Sequence, residues 1–74
     1  MIARILIWNL FESKTTLEEL REHLPALPDG DVWIANEAQD RFGLISFGDR
    51  LPDLGEVPEL IADEPAVAEE FDVE

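Results

Sequence analysis

The sequence contains no cysteine, and its one histidine is His23. Disulfide bonds and thiolate metal sites are therefore excluded, and a histidine-rich zinc site cannot form. A chain of 74 residues buries only about 60% of its unfolded surface, so its own core is marginal. Domains of this size usually add a disulfide, a metal or an oligomeric partner. The composition leaves oligomerisation, and we expect a homodimer without a cofactor.

Long apolar runs are also missing. No stretch approaches the roughly 18 consecutive apolar residues of a membrane span. Residues 1–8 hold too short an apolar run for a signal peptide, and no small-residue cleavage site follows them, so they indicate a strand. The lack of cysteine fits a reducing compartment. We therefore predict a cytoplasmic protein without membrane contact.

Basic residues are scarce. The chain has five Lys and Arg residues and 18 Asp and Glu residues, which give a net charge of −13. Residues 51–74 hold nine acidic residues and no basic one. A polyanion repels nucleic acid and anionic lipid, which argues against both as partners. The acidic C-terminal segment either keeps the chain soluble, docks a basic protein partner or mimics nucleic acid.

The first half of the chain predicts a strand and a helix. The apolar run at residues 2–10 has strand length. A helix follows, marked by leucines at spacings of three and four: Leu17, Leu20 and Leu24. We expect Ser13 or Thr15 to cap this helix and Pro25 to end it.

Residues 32–47 are the most informative stretch, because two runs rich in β-branched and aromatic residues flank a polar, turn-prone hexapeptide. This pattern predicts a β-hairpin. A short helix is expected over 57–62, and residues 66–73 are either a helical turn or a fourth strand. The order βαββα, with a possible final β, is the ferredoxin-like α+β pattern, an antiparallel sheet with both helices on one face. We therefore predict one domain over 1–63 and an acidic tail over 64–74, less ordered than the rest or ordered only against a partner.

Part of the chain resembles dimeric α+β-barrel proteins, the superfamily that includes antibiotic-biosynthesis monooxygenases. Residues 32–37 and 41–50 are similar to the hairpin of that family and the loop that follows it. In that family two ferredoxin-like sheets face each other and close a barrel. The resemblance implies a second copy packed on an apolar sheet face.

A second resemblance is to the RNA-recognition motif. Residues 5–10 end in Asn-Leu, as does the first-strand motif of that family, and residues 40–47 are similar to its third-strand motif. In that family, aromatic side chains on the open sheet face stack on bases. Here Leu6 and Leu44 stand at aromatic positions, and only Phe42 remains of the stacking set. These departures and the negative charge argue against RNA binding.

Few residues offer chemistry. Three adjacent carboxylate pairs are expected to be solvated, because neighbours in a helix do not face each other: Glu18–Glu19, Asp63–Glu64 and Glu69–Glu70. We interpret His23 as a helix-end residue that interacts with the helix dipole. The barrel resemblance implies one catalytic candidate, Asn9, which would donate a hydrogen bond to an enolate between the indoles of Trp8 and Trp33. The alternative is that Asn9 begins a turn and both tryptophans belong to an interface.

Both faces of the predicted sheet are apolar, so one can face the helices and the other a partner. The core is expected to contain Ile5, Ile7, Leu17, Leu20, Leu24, Ile45 and Phe47. The opposite face is expected to bind a ligand or a second copy through Leu6, Trp8, Trp33, Phe42 and Leu44. The sequence thus predicts a non-enzymatic protein that acts by self-association and protein interaction. The alternatives are a cofactor-free monooxygenase or small-ligand-binding barrel, and an acidic nucleic-acid mimic.

Overall fold

The computed structural model describes residues 1–11, 13, 15–61 and 64–74. Its strands and helices follow in the order β1 (Ile2–Asn9), α1 (Leu17–Glu22), β2 (Val32–Asn36), β3 (Arg41–Phe47), α2 (Val57–Ile61) and β4 (Val67–Asp72). A 3-10 turn, Glu37–Gln39, joins β2 to β3. The predicted α+β class, the hairpin and both helices are confirmed, and the last element is a strand. Ala62, the expected end of the second helix, and Asp63 lie outside the described residues.

The four strands form one antiparallel sheet in the order β2-β3-β1-β4. The register places Leu6 opposite Leu44 and Trp8 opposite Phe42 across β1 and β3. Trp33 of β2 lies opposite Leu44 on the other side of β3. Because directly paired residues point to the same side of a sheet, these five side chains share one face.

The helices cover this face. The buried core that joins it to the helices consists of Trp8, Leu10, Leu20, Phe42, Leu44, Leu54, Val57 and Ile61. Leu17 of α1 and Leu24, which follows the C-cap of the helix, pack against this core, so the inward position predicted for the three leucines is confirmed. The predicted choice of sheet face is wrong, since the other face carries the four strand residues that were expected inside: Ile5, Ile7, Ile45 and Phe47.

Aromatic packing accounts for the choice of face. The rings of Trp33 and Phe42 stack with centroids 5.4 Å apart, and the Trp8 and Phe42 centroids are 6.4 Å apart. The indole Nε1 of Trp33 donates a hydrogen bond to the carbonyl oxygen of Pro25 at 3.2 Å. Covering this face therefore buries the largest side chains of the sheet and gives one indole N–H a partner in the segment after α1.

Thr16 caps α1, one residue beyond the predicted Thr15. Its hydroxyl oxygen accepts a hydrogen bond from the Glu19 backbone N–H at 3.1 Å, which satisfies a donor that the helix itself leaves unpaired. The other candidate, Ser13, accepts from the Thr15 backbone N–H at 3.3 Å. The helix begins at Leu17, and Leu20 points inward and is fully buried.

β4 makes the C-terminal segment part of the sheet. It pairs with β1 from Ile2–Asp72 to Ile7–Val67. The side chain of Arg4 is 12% exposed, and its Nε and Nη2 atoms each donate to Oε1 of Glu70 at 3.2 Å. Of the two structures expected for this segment, a helical turn or a fourth strand, residues 67–72 form the strand, and they pair with β1.

Replacing Glu70 with alanine should loosen β4. We expect the free energy of unfolding to fall by about 1 kcal/mol, because the largely buried Arg4 guanidinium loses its carboxylate. Urea unfolding monitored by circular dichroism measures the loss. Glu69→Ala is the matched control, since Glu69 lies on the same strand and faces the other side. Equal losses in the two variants would contradict a specific contribution of the Arg4–Glu70 pair.

Candidate interaction surface

The sheet face opposite the helices is apolar, and no other described element covers it. We call it the open face, and the strands contribute alternate residues to it: Ala3, Ile5, Ile7 and Asn9 from β1, Val32, Ile34 and Asn36 from β2, Arg41, Gly43, Ile45 and Phe47 from β3, and Val67, Glu69 and Phe71 from β4. Its most exposed large apolar side chains are Val32, Phe47 and Phe71, which are 47%, 43% and 48% exposed. Arg41 and Glu69 are its charged members, although charged residues make up 31% of the chain. Charge is thus depleted here, as it is at the centre of protein interfaces.

A shallow concavity of about 220 Å³ lies at one end of the open face. We call it the cup, and its lining on this face is Ile7, Ile34, Asn36, Arg41 and Gly43. The cup forms because β3 places Gly43, which has no side chain, between Ile7 and Ile34. A Cβ atom on Gly43 would lie 2.5 Å from the carbonyl oxygen of Leu6. The close approach of β1 and β3 therefore requires glycine here and keeps the cup open.

Arg41 forms the polar end of the cup. Its Nε atom donates a hydrogen bond to Oδ1 of Asn9 at 3.1 Å. The ion pairs that occur within the described ranges do not include Arg41. An amide, and not a carboxylate, therefore orients this guanidinium beside the apolar walls of the cup.

The structure does not bring the candidate catalytic residue, Asn9, together with the two tryptophans. Asn9 lies on the open face, whereas Trp8 and Trp33 lie on the face that the helices cover. The sheet separates the amide from both indoles, so the three groups do not lie on one side of it. Asn9 ends β1 and holds Arg41, which gives it a positioning role at the edge of the cup.

The other titratable residues that the sequence singles out, His23 and the carboxylate pairs, do not lie together in the described ranges. His23 is the C-cap of α1, as its predicted position at the helix end requires, and its Nδ1 lies 2.9 Å from Oε2 of Glu56. Glu69 and Glu70 point to opposite faces of the sheet. Asp63 of another carboxylate pair lies outside the described residues.

Neither a metal cluster nor a spanning helix is found in the part of the chain that the structure describes. Within residues 1–11, 13, 15–61 and 64–74, no three His, Cys, Asp or Glu side chains come together as a metal site. In the same ranges no helix is long and apolar enough to cross a membrane.

The residues predicted for the interface belong to the covered face. Trp8, Phe42 and Leu44 are 5%, 2% and 0% exposed, and Leu6 and Trp33 pack against the same core. Phe42 is therefore not accessible to stack on a base, and a partner could reach these residues only by displacing the helices. Sequence reasoning missed the cup, although a glycine inside an apolar strand is a recognised sign of close backbone approach.

Known proteins do not indicate a function for this surface. No protein-family model matches the chain, and no curated protein is significantly similar to it. The open face and the cup are therefore the features on which a function can be based.

Proposed function

We propose that this protein acts by self-association, as a homodimer in which the open faces of two copies pack against each other. The observation that supports the proposal is a continuous apolar surface that the helices of the same chain leave uncovered: Ile5, Ile7, Val32, Ile34, Ile45, Phe47 and Phe71. Monomeric proteins rarely expose apolar patches beyond a few hundred Å². A second copy would cover this one without any change in the fold.

The area of the open face is that expected of a weakly associated dimer. Four strands spaced about 4.8 Å apart and about 20 Å long span roughly 400 Å² in projection. Two such faces bury at least about 800 Å² before the relief of the side chains is counted, against about 1,200 Å² for small specific interfaces. We therefore propose a dimer that dissociates on dilution, in place of an obligate one.

We also propose a ferredoxin-like arrangement, related to the dimeric α+β-barrel proteins that the hairpin resembles. Support comes from the βαββαβ order of elements, from a fully antiparallel sheet and from helices that lie on one face. A face-to-face dimer of such sheets is the assembly that this resemblance implies. The cytoplasm is the proposed compartment, on the strength of the missing cysteines.

The negative charge of the chain opposes dimerisation, so the proposed dimer should depend on the salt concentration. Each copy carries a formal charge of −13, so two copies repel each other over a Debye length of about 10 Å at 0.1 M salt. Added salt screens this repulsion and strengthens apolar association. Sedimentation velocity should therefore show a larger dimer fraction at 0.5 M than at 0.05 M sodium chloride, at equal protein concentration.

Replacing Ile45 with glutamate should produce a folded monomer. The substitution places a charge at the middle of the open face, where a dimer would bury it, whereas water solvates it in the single chain. We expect the dimer dissociation constant to rise by at least about 100-fold, since burying an unpaired charge costs several kcal/mol. Sedimentation velocity over a concentration series measures this change.

Leu51→Glu is the matched control, because Leu51 is an exposed apolar residue, 47% accessible, that follows β3 and lies outside the open face. It adds the same charge, so it should leave the dimer fraction nearly unchanged. Circular dichroism verifies that both variants keep the fold. A wild-type chain that stays monomeric at high concentration and 0.5 M salt would disprove the homodimer.

A further inference from the structure

We infer that the two copies pack in one orientation, with Phe47 of each chain inserted into the cup of the other. The two-fold axis then runs perpendicular to the strands and passes over the middle of β3. This inference rests on the proposed homodimer and adds the relative direction of its sheets and the contact that fixes it.

The protruding side chain and the cup lie at opposite ends of the same strand. Phe47 ends β3 and is 43% exposed, whereas Arg41 and Gly43 lie at the start of β3 and line the cup. Phe47 lies four positions after Gly43 on the strand, or about 13 Å away at about 3.3 Å per residue. In a two-fold interface every contact occurs twice, with the roles of the chains exchanged. Rotation about an axis over Ile45, midway between Gly43 and Phe47, therefore brings each Phe47 over the partner's cup at the same time.

The chemistry of the cup fits an aromatic ring. Ile7 and Ile34 provide apolar walls, and Gly43 between them adds no side chain of its own. At the polar end, the guanidinium of Arg41 is held by Asn9 and can lie against the face of the ring, an arrangement that attracts cations to aromatic side chains. Filling the cup also removes a void, which close-packed interfaces disfavour.

The alternative axis, parallel to the strands, leaves both cups unfilled. It would place the Phe47 ends of the two copies side by side, next to Ala3, and the two Arg41 guanidinium groups near each other at the opposite end. Like charge does not separate the two axes, because the perpendicular axis in turn brings the two Glu69 carboxylates, which lie level with Ile45, opposite each other. Both axes keep the strands of the two sheets roughly aligned, a common geometry for packed sheets, so the filling of the cups is what distinguishes them.

A mixed-label experiment tests the orientation. Because the chain has no cysteine, Gln39→Cys gives a single attachment point for a nitroxide, on the exposed turn beside the cup end of the sheet. The labelled chain is mixed with 15N-labelled wild-type chain, so any broadening of amide signals is intermolecular. We expect the amides of Phe47 and Gly48 to broaden most. Broadening centred on Asn9 and Arg41 would overturn the orientation while leaving the dimer intact.

Truncation of the aromatic side chain provides a second test. Phe47→Ala should raise the dimer dissociation constant by at least about tenfold, as expected for a residue that anchors an interface. Phe11→Ala is the matched control, since Phe11 is 69% exposed and follows β1 outside the open face. It should change the constant by less than about threefold. Equal effects of the two substitutions would overturn the inference, whereas a wild-type monomer would overturn the proposed function itself.

Discussion

Replacing Phe42 with alanine should unfold most of the protein at moderate temperature. Phe42 is 2% exposed and stacks against Trp33 and Trp8, so its removal leaves a cavity at the centre of the only core identified in the described residues. Truncating a buried Phe costs about 3–5 kcal/mol. A 74-residue domain has only about 4–11 kcal/mol of stability at typical values per residue.

Thermal unfolding followed by circular dichroism tests this expectation. The midpoint should fall by about 15–30 °C, given roughly 4–8 °C per kcal/mol in domains of this size. Phe11→Ala is the control, because Phe11 follows β1 and is 69% exposed. It should shift the midpoint by only a few degrees. A Phe42 variant that melts within a few degrees of the wild type would contradict the assignment of the covered face.

Replacing Gly43 with alanine should also destabilise the fold strongly, although it adds only one methyl group. The new Cβ would lie 2.5 Å from the Leu6 carbonyl oxygen and 3.2 Å from a side-chain carbon of Ile34. Backbone cannot yield as a flexible side chain does, so β1 and β3 must move apart at the middle of the sheet. We expect a loss of about 3 kcal/mol, at the upper end of overpacking effects.

Gly30→Ala separates this clash from the general cost of losing a glycine. Gly30 has φ of +91° and no heavy atom near its Cβ position, so alanine there is strained without any collision. The strain should cost about 1–2 kcal/mol. Urea midpoints of the two variants give the comparison, and a Gly43 variant as stable as the Gly30 variant would show that the two strands can separate cheaply.

The periodicity of the strands predicted which side chains share a face but could not predict which face is covered. Leu6, Trp8, Phe42 and Leu44 do lie together, as their spacing requires. Isoleucines occupy the alternate positions, so both faces look apolar in the sequence. The deciding contacts are tertiary, such as the hydrogen bond from the Trp33 indole to the Pro25 carbonyl. No pattern along a strand encodes a contact of that kind.

The candidate site was harder to predict than the fold for a similar reason. The cup depends on Gly43 lying between Ile7 and Ile34, which are far from each other in sequence and become neighbours only through the strand register. The C-terminal strand was obscured by its charge, because a run of carboxylates is typical of a solvated tail. Pairing of Arg4 with Glu70 across β1 and β4 offsets that charge locally, and such a partner cannot be chosen from the sequence.

The acidic strand at the edge of the sheet has a consequence for how far association can proceed. β4 lies at one end of the strand order and carries Glu69, Glu70 and Asp72. An uncovered sheet edge offers backbone donors and acceptors that can recruit strands from other chains, and charged side chains along the edge hinder this recruitment. Joining two β4 edges would align their carboxylates in close rows. The same charges that would weaken the proposed face-to-face pair thus hinder edge-to-edge growth into fibrils, and they favour an assembly that stops at two copies.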